Sequence, residues 1–325
     1  MKRLHCRCGE IVYFYNHRCV NCGRELAFDP DTLTMLAEPT AGAGLPFCKN
    51  RAAAIRCNWV PKAGNTAGFC LSCALSRTIP ALGKPRNQER WRKLESAKRY
   101  LIYDLLRLGL PVDDSRLSFE FKEDRRTNPD VSDLHVATGH WSGTITINAA
   151  EADEVFREEM RQKMNEPWRT LLGHMRHESG HYYFSQLVDD SNRDAARALF
   201  GDESTDYESS MAAYYRDGPR QDWNREFISA YASSHPAEDW AECWAHYLHI
   251  RAVLEVAAEA GFAGAGGDAR WRERFISLVL DLNEIMRALG LPDAYPFVIT
   301  ESVARKIDFV HQAIKRRRAR LARCT

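Results

Sequence analysis

The chain has 325 residues, 45 % of them hydrophobic, which is enough for one sizeable core or for two domains. The 45 basic side chains balance 44 acidic ones, and a formal net charge of +1 creates no overall field for nucleic acid or an anionic membrane. No apolar run reaches the roughly 18 residues of a membrane-spanning helix, so we expect no membrane contact. The first residues, MKRLHCRCGE, lack the apolar stretch of a secretion signal, which predicts a cytoplasmic protein.

The N-terminal segment CRCGEIVYFYNHRCVNCG contains two close cysteine pairs, each followed by glycine. Glycine lets the backbone turn tightly, and the run IVYFY between the pairs is typical of a β-strand. Thiolates that converge from two such turns form a tetrahedral zinc site. The sequence therefore predicts a zinc ribbon over residues 1–32, and its expected ligands are Cys6, Cys8, Cys19 and Cys22. The first pair is spaced more tightly than usual, which leaves His5 as the alternative to Cys6.

A second group of cysteines follows within the next fifty residues. Eight of the ten cysteines fall in the first 73 residues, and in a reducing compartment such crowding favours metal over disulfides. A segment this short builds little hydrophobic core without a metal, although reduced core cysteines are the competing interpretation. We predict a second cysteine-rich zinc-binding module over residues 33–85, with the ligands Cys48, Cys57, Cys70 and Cys73.

The remaining residues, 86–325, carry patterns of both strands and helices. The segment RWRKLESAKRYLIYDLLRLGLP has apolar residues at helical spacing and ends at Gly109 and Pro111. LSFEFKED alternates as a strand does, and HWSGTITINAAEAD predicts a second strand. After about residue 150 the patterns are helical. The fold class predicted for the whole chain is α+β, with a small sheet followed by helices.

The helical segment around residue 177 contains the motif H-E-x-x-H. His177 and His181 project from one face of a helix, so both imidazoles can bind one metal ion. Glu178 lies about 100° round the helix, where it can take a proton from a water at that ion. The alternative is a surface helix with two solvated histidines. The apolar flanks TLLGHM and YYFSQLV argue against it, because they predict that one side of this helix is buried.

A third protein ligand is expected, because catalytic zinc sites usually take three and keep one position for water. The later segment SAYASSHPAEDWAECWAHYLHI offers two acids, Glu238 and Glu242, on a helix whose first turn contains Pro236. Acids four residues apart share one helix face. One of them would bind the metal and the other would orient a ligand imidazole, and the spacing leaves their order open.

These peptides, together with CLSCALSRTIP, FGDESTDY and LPDAYPFV, resemble the bacterial family of zinc-binding metallopeptidases that carry an N-terminal zinc ribbon. The resemblance covers nearly the whole chain. It implies that residues 86–325 form a zincin-like metallopeptidase domain, mainly helical and with a small sheet. The peptide PAEDWAE is also similar, more loosely, to the gluzincins related to anthrax lethal factor.

The gluzincin resemblance implies a role for each residue of the site. The first conserved glutamate of the peptide is the third zinc ligand there, which corresponds to Glu238 and leaves Glu242 behind the ligands. A tyrosine seven residues earlier, here Tyr231, contacts the oxygen of the tetrahedral intermediate. The resemblance thus implies peptide-bond hydrolysis with zinc on His177, His181 and Glu238, with Glu178 as general base and Tyr231 as oxyanion donor.

The expected cofactors are three zinc ions, one catalytic and two structural. The expected partners are a peptide or protein substrate, which the strand GTITIN would hold by strand addition, and a protein partner at the zinc ribbon. Nucleic acid is not expected as a partner. The competing interpretation is a non-catalytic zinc-ribbon module that binds protein or nucleic acid and carries a degenerate peptidase domain. Glu178 favours the enzyme, because a binding module has no use for a general base.

Overall fold

The structure, a computed structural model, describes residues 3–37, 47–61, 67–112, 116–262 and 270–324. The chain forms two units, one from Lys2 to Met175 and one from Arg176 to the C-terminus. Among the described residues, no helix combines the length and the apolar character that crossing a bilayer requires.

The N-terminal part of the first unit is built from two small hairpins. Strands β1 (Leu4–His5) and β2 (Ile11–Val12) pair antiparallel, as do β3 (Leu26–Asp29) and β4 (Thr34–Ala37). The predicted strand IVYFY alternates between exposed and buried side chains over its whole length, but only its first two residues are paired. The pairing of β3 with β4 crosses the predicted boundary at residue 32, and the division into three domains stays a prediction.

A second cysteine-bearing segment packs against β3. It contains a short 3-10 helix (Lys49–Arg51) and the helix α1 (Leu71–Ala74). The backbone of Phe28 is hydrogen-bonded on both sides of Trp59, at 2.7 Å to the carbonyl of Asn58 and at 3.0 Å to the amide of Val60. Phe28 and Trp59 are fully buried, so both cysteine-rich segments share one aromatic core.

The sheet of the first unit has four strands, in the order β5 (Ser76–Thr78), β6 (Ser118–Lys122), β8 (Thr144–Asn148) and β7 (Gly139–Trp141). The first three are parallel, and β7 pairs antiparallel with β8. The segment HWSGTITIN thus folds as a hairpin that places β8 inside the sheet. The expectation that GTITIN would take up a substrate strand is contradicted over residues 144–146, where β6 and β7 already pair with both edges of β8.

The first unit contains one long helix, and most of its residues are buried. Helix α2 (Asn87–Arg107) buries Leu94, Leu101 and Leu105 completely, as the helical spacing predicts. It ends before Gly109, whose φ of 68° is the left-handed conformation expected after a helix. A 3-10 helix (Ala149–Ala152) and helix α3 (Glu154–Lys163) follow the sheet.

The second unit is helical. Helix α4 (Leu171–Leu187) begins in the first unit, and its residues from Arg176 onward belong to the second. The other helices are α5 (Arg193–Phe200), α6 (Tyr207–Asp217), α7 (Trp223–Glu226), α8 (Pro236–Ala260), α9 (Trp271–Ala288) and α10 (Glu301–Cys324). Helix α8 buries residues on most sides, as expected of a central helix. The predicted α+β class is confirmed, with a cysteine-rich N-terminal region followed by a mainly helical domain.

Candidate functional site

Helices α4 and α8 lie in close contact at the motif H-E-x-x-H. Gly180 permits this approach, because a Cβ added there would lie only 2.9 Å from the Cα of Ala241. The indole nitrogen of Trp240 donates to the carbonyl of Gly180 at 2.8 Å. The indole nitrogen of Trp244 donates to the hydroxyl of Ser179 at 2.9 Å. The two variable positions of the motif therefore fix where the side chains of α8 meet those of α4.

This packing brings His177, His181 and Glu238 together, with one donor atom of each within 4.8 Å of the others. Oε2 of Glu238 lies 2.9 Å from Nε2 of His177 and 3.5 Å from Nε2 of His181. Zinc bonds of about 2.0–2.2 Å in a tetrahedron place donor atoms about 3.3–3.6 Å apart. The Glu238 side chain is buried, and its carboxylate and the two imidazoles are the donors that zinc prefers. These three residues thus fit a zinc ion in chemistry, and the 3.5 Å separation matches a tetrahedral edge, whereas the 2.9 Å separation is that of a direct hydrogen bond.

Glu242 lies behind His177. Nδ1 of His177 donates to Oε1 of Glu242 at 2.8 Å, and the hydroxyl of Ser229 donates to its Oε2 at 2.6 Å. Burial opposes ionisation of this carboxyl, but the hydrogen bonds from His177 and Ser229 and the charges of His177 and His246 together outweigh it and lower the pKa of Glu242 to about 2. Both oxygens of Glu242 are therefore engaged as acceptors, whereas Oε2 of Glu238 faces both histidines. Of the two acids left open by the spacing, the structure brings Glu238 within 4.8 Å of both imidazoles, in the group that could hold a metal ion.

Glu178 is buried beside the histidines, with a relative exposure of 8 %. Burial raises the pKa of its carboxyl above the usual value, and the two histidines oppose that shift. A carboxyl that holds a proton more firmly than usual, next to a metal-binding group, is suited to proton transfer.

Tyr231 lies on a 3-10 helix (Tyr231–Ser233) that immediately precedes α8. Its ring centroid is 5.9 Å from that of His177 and 6.0 Å from that of Tyr214. Burial and the nearby Glu238 carboxylate raise the pKa of Tyr231 well above its ordinary value, so the phenol stays protonated and can donate a hydrogen bond.

Two residues of the site have no assigned role in the sequence interpretation. The hydroxyl of Tyr207 donates to Oε1 of Glu238 at 2.8 Å, and Ser229 contacts Glu242 as described above. Tyr207 ends the peptide FGDESTDY, which carries part of the family resemblance, and that was the available signal. No spacing rule relates position 207 to position 238, and nothing in the local sequence singles out Ser229.

The first cysteine site contains the four predicted cysteines. Sγ of Cys6 lies 3.6 Å from that of Cys22, and Sγ of Cys8 lies 3.7 Å from that of Cys19. Four sulfurs at zinc bond lengths of about 2.3 Å form a tetrahedron with an edge of about 3.8 Å. A disulfide would need about 2.05 Å. All four cysteines converge, whereas His5 faces the carbonyl of Gly9 at 3.3 Å, so Cys6 is the better ligand.

The second cysteine site is fully enclosed. Its members, all buried, are Cys48, Cys57, Cys70 and Cys73. Sγ of Cys57 lies 3.6 Å from Sγ of Cys70. The amide of Cys70 faces Sγ of Cys48, and the amide of Cys73 faces Sγ of Cys70, each at 3.4 Å. Backbone amides aimed at sulfurs stabilise thiolates, so this site also fits a zinc ion.

Comparison with known proteins agrees with this geometry. A family model described as "Putative zinc-binding metallo-peptidase" matches residues 87–313, and a zinc-ribbon domain model matches residues 3–84. Uncharacterized proteins of Mycobacterium bovis and of Mycobacterium tuberculosis are each 37 % identical to this chain over 334 residues. Those alignments cover 97 % of this chain and 95 % of each relative. No solved structure matches the chain.

Proposed function

The chain belongs to the family of zinc-binding metallopeptidases with an N-terminal zinc ribbon, and from this premise we propose that it hydrolyses peptide bonds with Glu178 as general base. The observation that carries the proposal is the convergence of His177, His181 and Glu238 beside the buried Glu178. The proposed class is that of the gluzincins, in which a glutamate from a second helix completes the site.

Each residue has a defined task in the proposed reaction. His177, His181 and Glu238 would hold zinc, which polarises a carbonyl and makes a water more acidic. Glu178 takes the proton of the attacking water and passes it to the leaving amine, as its buried carboxyl allows. Tyr231 donates a hydrogen bond to the oxygen on which negative charge develops.

The zinc ribbon has a separate role in the proposal, which is to recruit the substrate or a protein partner. Its exposed apolar side chains include Tyr13, Tyr15 and Val20, with relative exposures of 64 %, 56 % and 88 %. Exposed aromatic residues are enriched where proteins bind one another. We place the protein in the cytoplasm, because reduced tetrathiolate sites persist in that compartment.

Substitution of Glu178 by glutamine tests the general base. The amide keeps the size of the side chain but cannot accept the proton, so we expect turnover to fall by at least about 100-fold while zinc remains bound. Hydrolysis is measured on a peptide library by mass spectrometry, with and without chelator, and zinc is measured by elemental analysis.

The matched control is Glu273→Gln, which makes the same chemical change at an exposed position on α9. It should leave both turnover and zinc unchanged. Full activity of Glu178→Gln would contradict the proposed mechanism, and chelator-resistant hydrolysis would contradict zinc catalysis altogether.

A further inference from the structure

Tyr207 makes a contact that the proposed mechanism does not use. Its hydroxyl donates at 2.8 Å to Oε1 of Glu238, while Oε2 of the same carboxylate lies 2.9 Å from the His177 ring. The two oxygens of Glu238 therefore have different neighbours. One is held by a phenol, and the other faces the imidazole pair.

Tyr207 is placed by the residues around it rather than by a packed core. Helix α6, described over all of its eleven residues, buries none of them. The ring of Tyr207 packs edge-on against His235, with centroids 5.1 Å apart. His235 precedes α8, and its Nδ1 accepts from the amide of Ala237, so its Nε2 donates to the carbonyl of Thr205 at 2.9 Å. One imidazole thus fixes both the start of α8 and the backbone two residues before Tyr207.

Ion pairs hold the loop that leads to Tyr207. Glu203 lies 2.8 Å from both Arg193 and Arg197 of helix α5. Asp206 precedes α6 as its N-cap, and its carboxylate accepts from the amide of Ser209. These contacts fix the turn formed by the peptide FGDESTDY, and the turn places the Tyr207 hydroxyl against Oε1 of Glu238.

We propose that Tyr207 is a positioning residue that holds Oε1 of Glu238, so that only Oε2 is available to the metal. This inference rests on the proposed function. A carboxylate free at both oxygens can bind one metal ion through both of them, and that would occupy the position a catalytic site keeps for water. Tyr207 prevents this by satisfying the outer oxygen with a hydrogen bond. Its effect on the reaction passes through Glu238 and requires no contact with substrate.

The test is the substitution Tyr207→Phe in the full chain, which removes the hydroxyl and keeps the ring against His235. Crystal structures recorded at the zinc absorption edge give the distance from zinc to each oxygen of Glu238. In the unsubstituted protein, Oε2 should lie at about 2.0–2.2 Å and Oε1 well outside that range. In Tyr207→Phe, both oxygens should come within bonding range, and turnover should fall by about 10-fold or more with KM changed little.

The control is Tyr100→Phe, which removes the same phenol hydroxyl from α2 in the first unit and should change neither the distances nor the turnover. If zinc binds through Oε2 alone and turnover is unchanged in Tyr207→Phe, the inference is wrong and the proposed function stands. If the unsubstituted protein binds no zinc at His177 and His181, the proposed function fails first and the inference fails with it.

Discussion

At the scale of single residues, the two ring nitrogens of His177 have different partners. Because Glu242 accepts at 2.8 Å, Nδ1 carries a proton, and a neutral His177 ring bound to a metal would then use the lone pair on Nε2. A metal-binding imidazole needs this tautomer, and a carboxylate behind it makes the ring a better donor. In the proposed site, Glu242 would therefore orient His177 for zinc without binding the metal itself.

The substitution Glu242→Gln tests this assignment. The glutamine amide group can donate to Nδ1, which favours the tautomer with its proton on Nε2, so zinc affinity should fall by about 10- to 100-fold. The measurement is competition for zinc with a chelator of known affinity. The quantity compared is the affinity of the most weakly bound zinc ion. The exposed Glu259→Gln on the same helix is the control and should bind zinc as the unsubstituted protein does. Equal affinities for the two variants would rule out an orienting role for Glu242.

Contacts that a fixed local spacing creates can be predicted from the sequence. The four-residue separation in H-E-x-x-H puts His177 and His181 together in any helix, and the structure brings Glu238 to them. The contacts of Tyr207 and Ser229 could not be predicted in this way. They depend on how α6 and the segment before α8 fold against the site. No periodic pattern in the sequence predicts that tertiary arrangement.

At the scale of elements, the packing of α4 against α8 brings together the residues of the candidate metal site. The Cβ that a larger residue would add at Gly180 meets the backbone of Ala241 at 2.9 Å and the Trp244 ring at 3.0 Å. A backbone atom cannot move aside as a flexible side chain can. The helices would have to separate, and the indole hydrogen bonds to Ser179 and Gly180 would lengthen with them.

We therefore expect Gly180→Ala to destabilise the second unit by about 1–3 kcal/mol, although alanine favours an isolated helix by about 1 kcal/mol. Zinc affinity should fall as well, because α4 and α8 carry the ligands. Urea unfolding and chelator competition measure the two effects. Ser185→Ala, at an exposed position of α4, serves as the control. A Gly180→Ala protein more stable than the unsubstituted one would mean that helix propensity outweighs the contact.

Helices were easier to predict than the arrangement of strands. The apolar spacing of α2 and the proline in the first turn of α8 are local signals, and both helices form where these signals lie. Strand order is not local. The run GTITIN has the composition of a strand, but its place between β6 and β7 depends on the preceding HWSG, which turns back at Gly143 with a φ of 88°.

At the scale of the whole molecule, the family match and the two structural units divide the chain differently. The match to the metallopeptidase family model spans residues 87–313, whereas the boundary between the two units falls between residues 175 and 176 of the sequence. The sheet and α2 therefore belong to the first unit, and the candidate ligands of the catalytic metal belong to the second. The cysteine sites both lie in the first unit.

We expect three zinc ions per chain. Cys57→Ser should reduce the number to two and lower the melting temperature, because structural zinc contributes directly to the folding free energy of small modules. Elemental analysis and thermal unfolding measure these changes. The control is Cys243→Ser, since Cys243 is buried on α8 outside the cysteine sites, and its zinc content should remain three. Three ions in Cys57→Ser would exclude the second cysteine site.

Helix α8 supplies both carboxylates that contact His177, and this has a use in comparing related sequences. Inserting or deleting one residue between Glu238 and Glu242 would rotate one carboxylate by about 100° relative to the other. The His177 imidazole would then lose either Glu238 at its Nε2 or Glu242 at its Nδ1. Under the proposed function, a homologue that keeps H-E-x-x-H but changes this interval is expected to be inactive, whereas one that keeps both is expected to hydrolyse peptides.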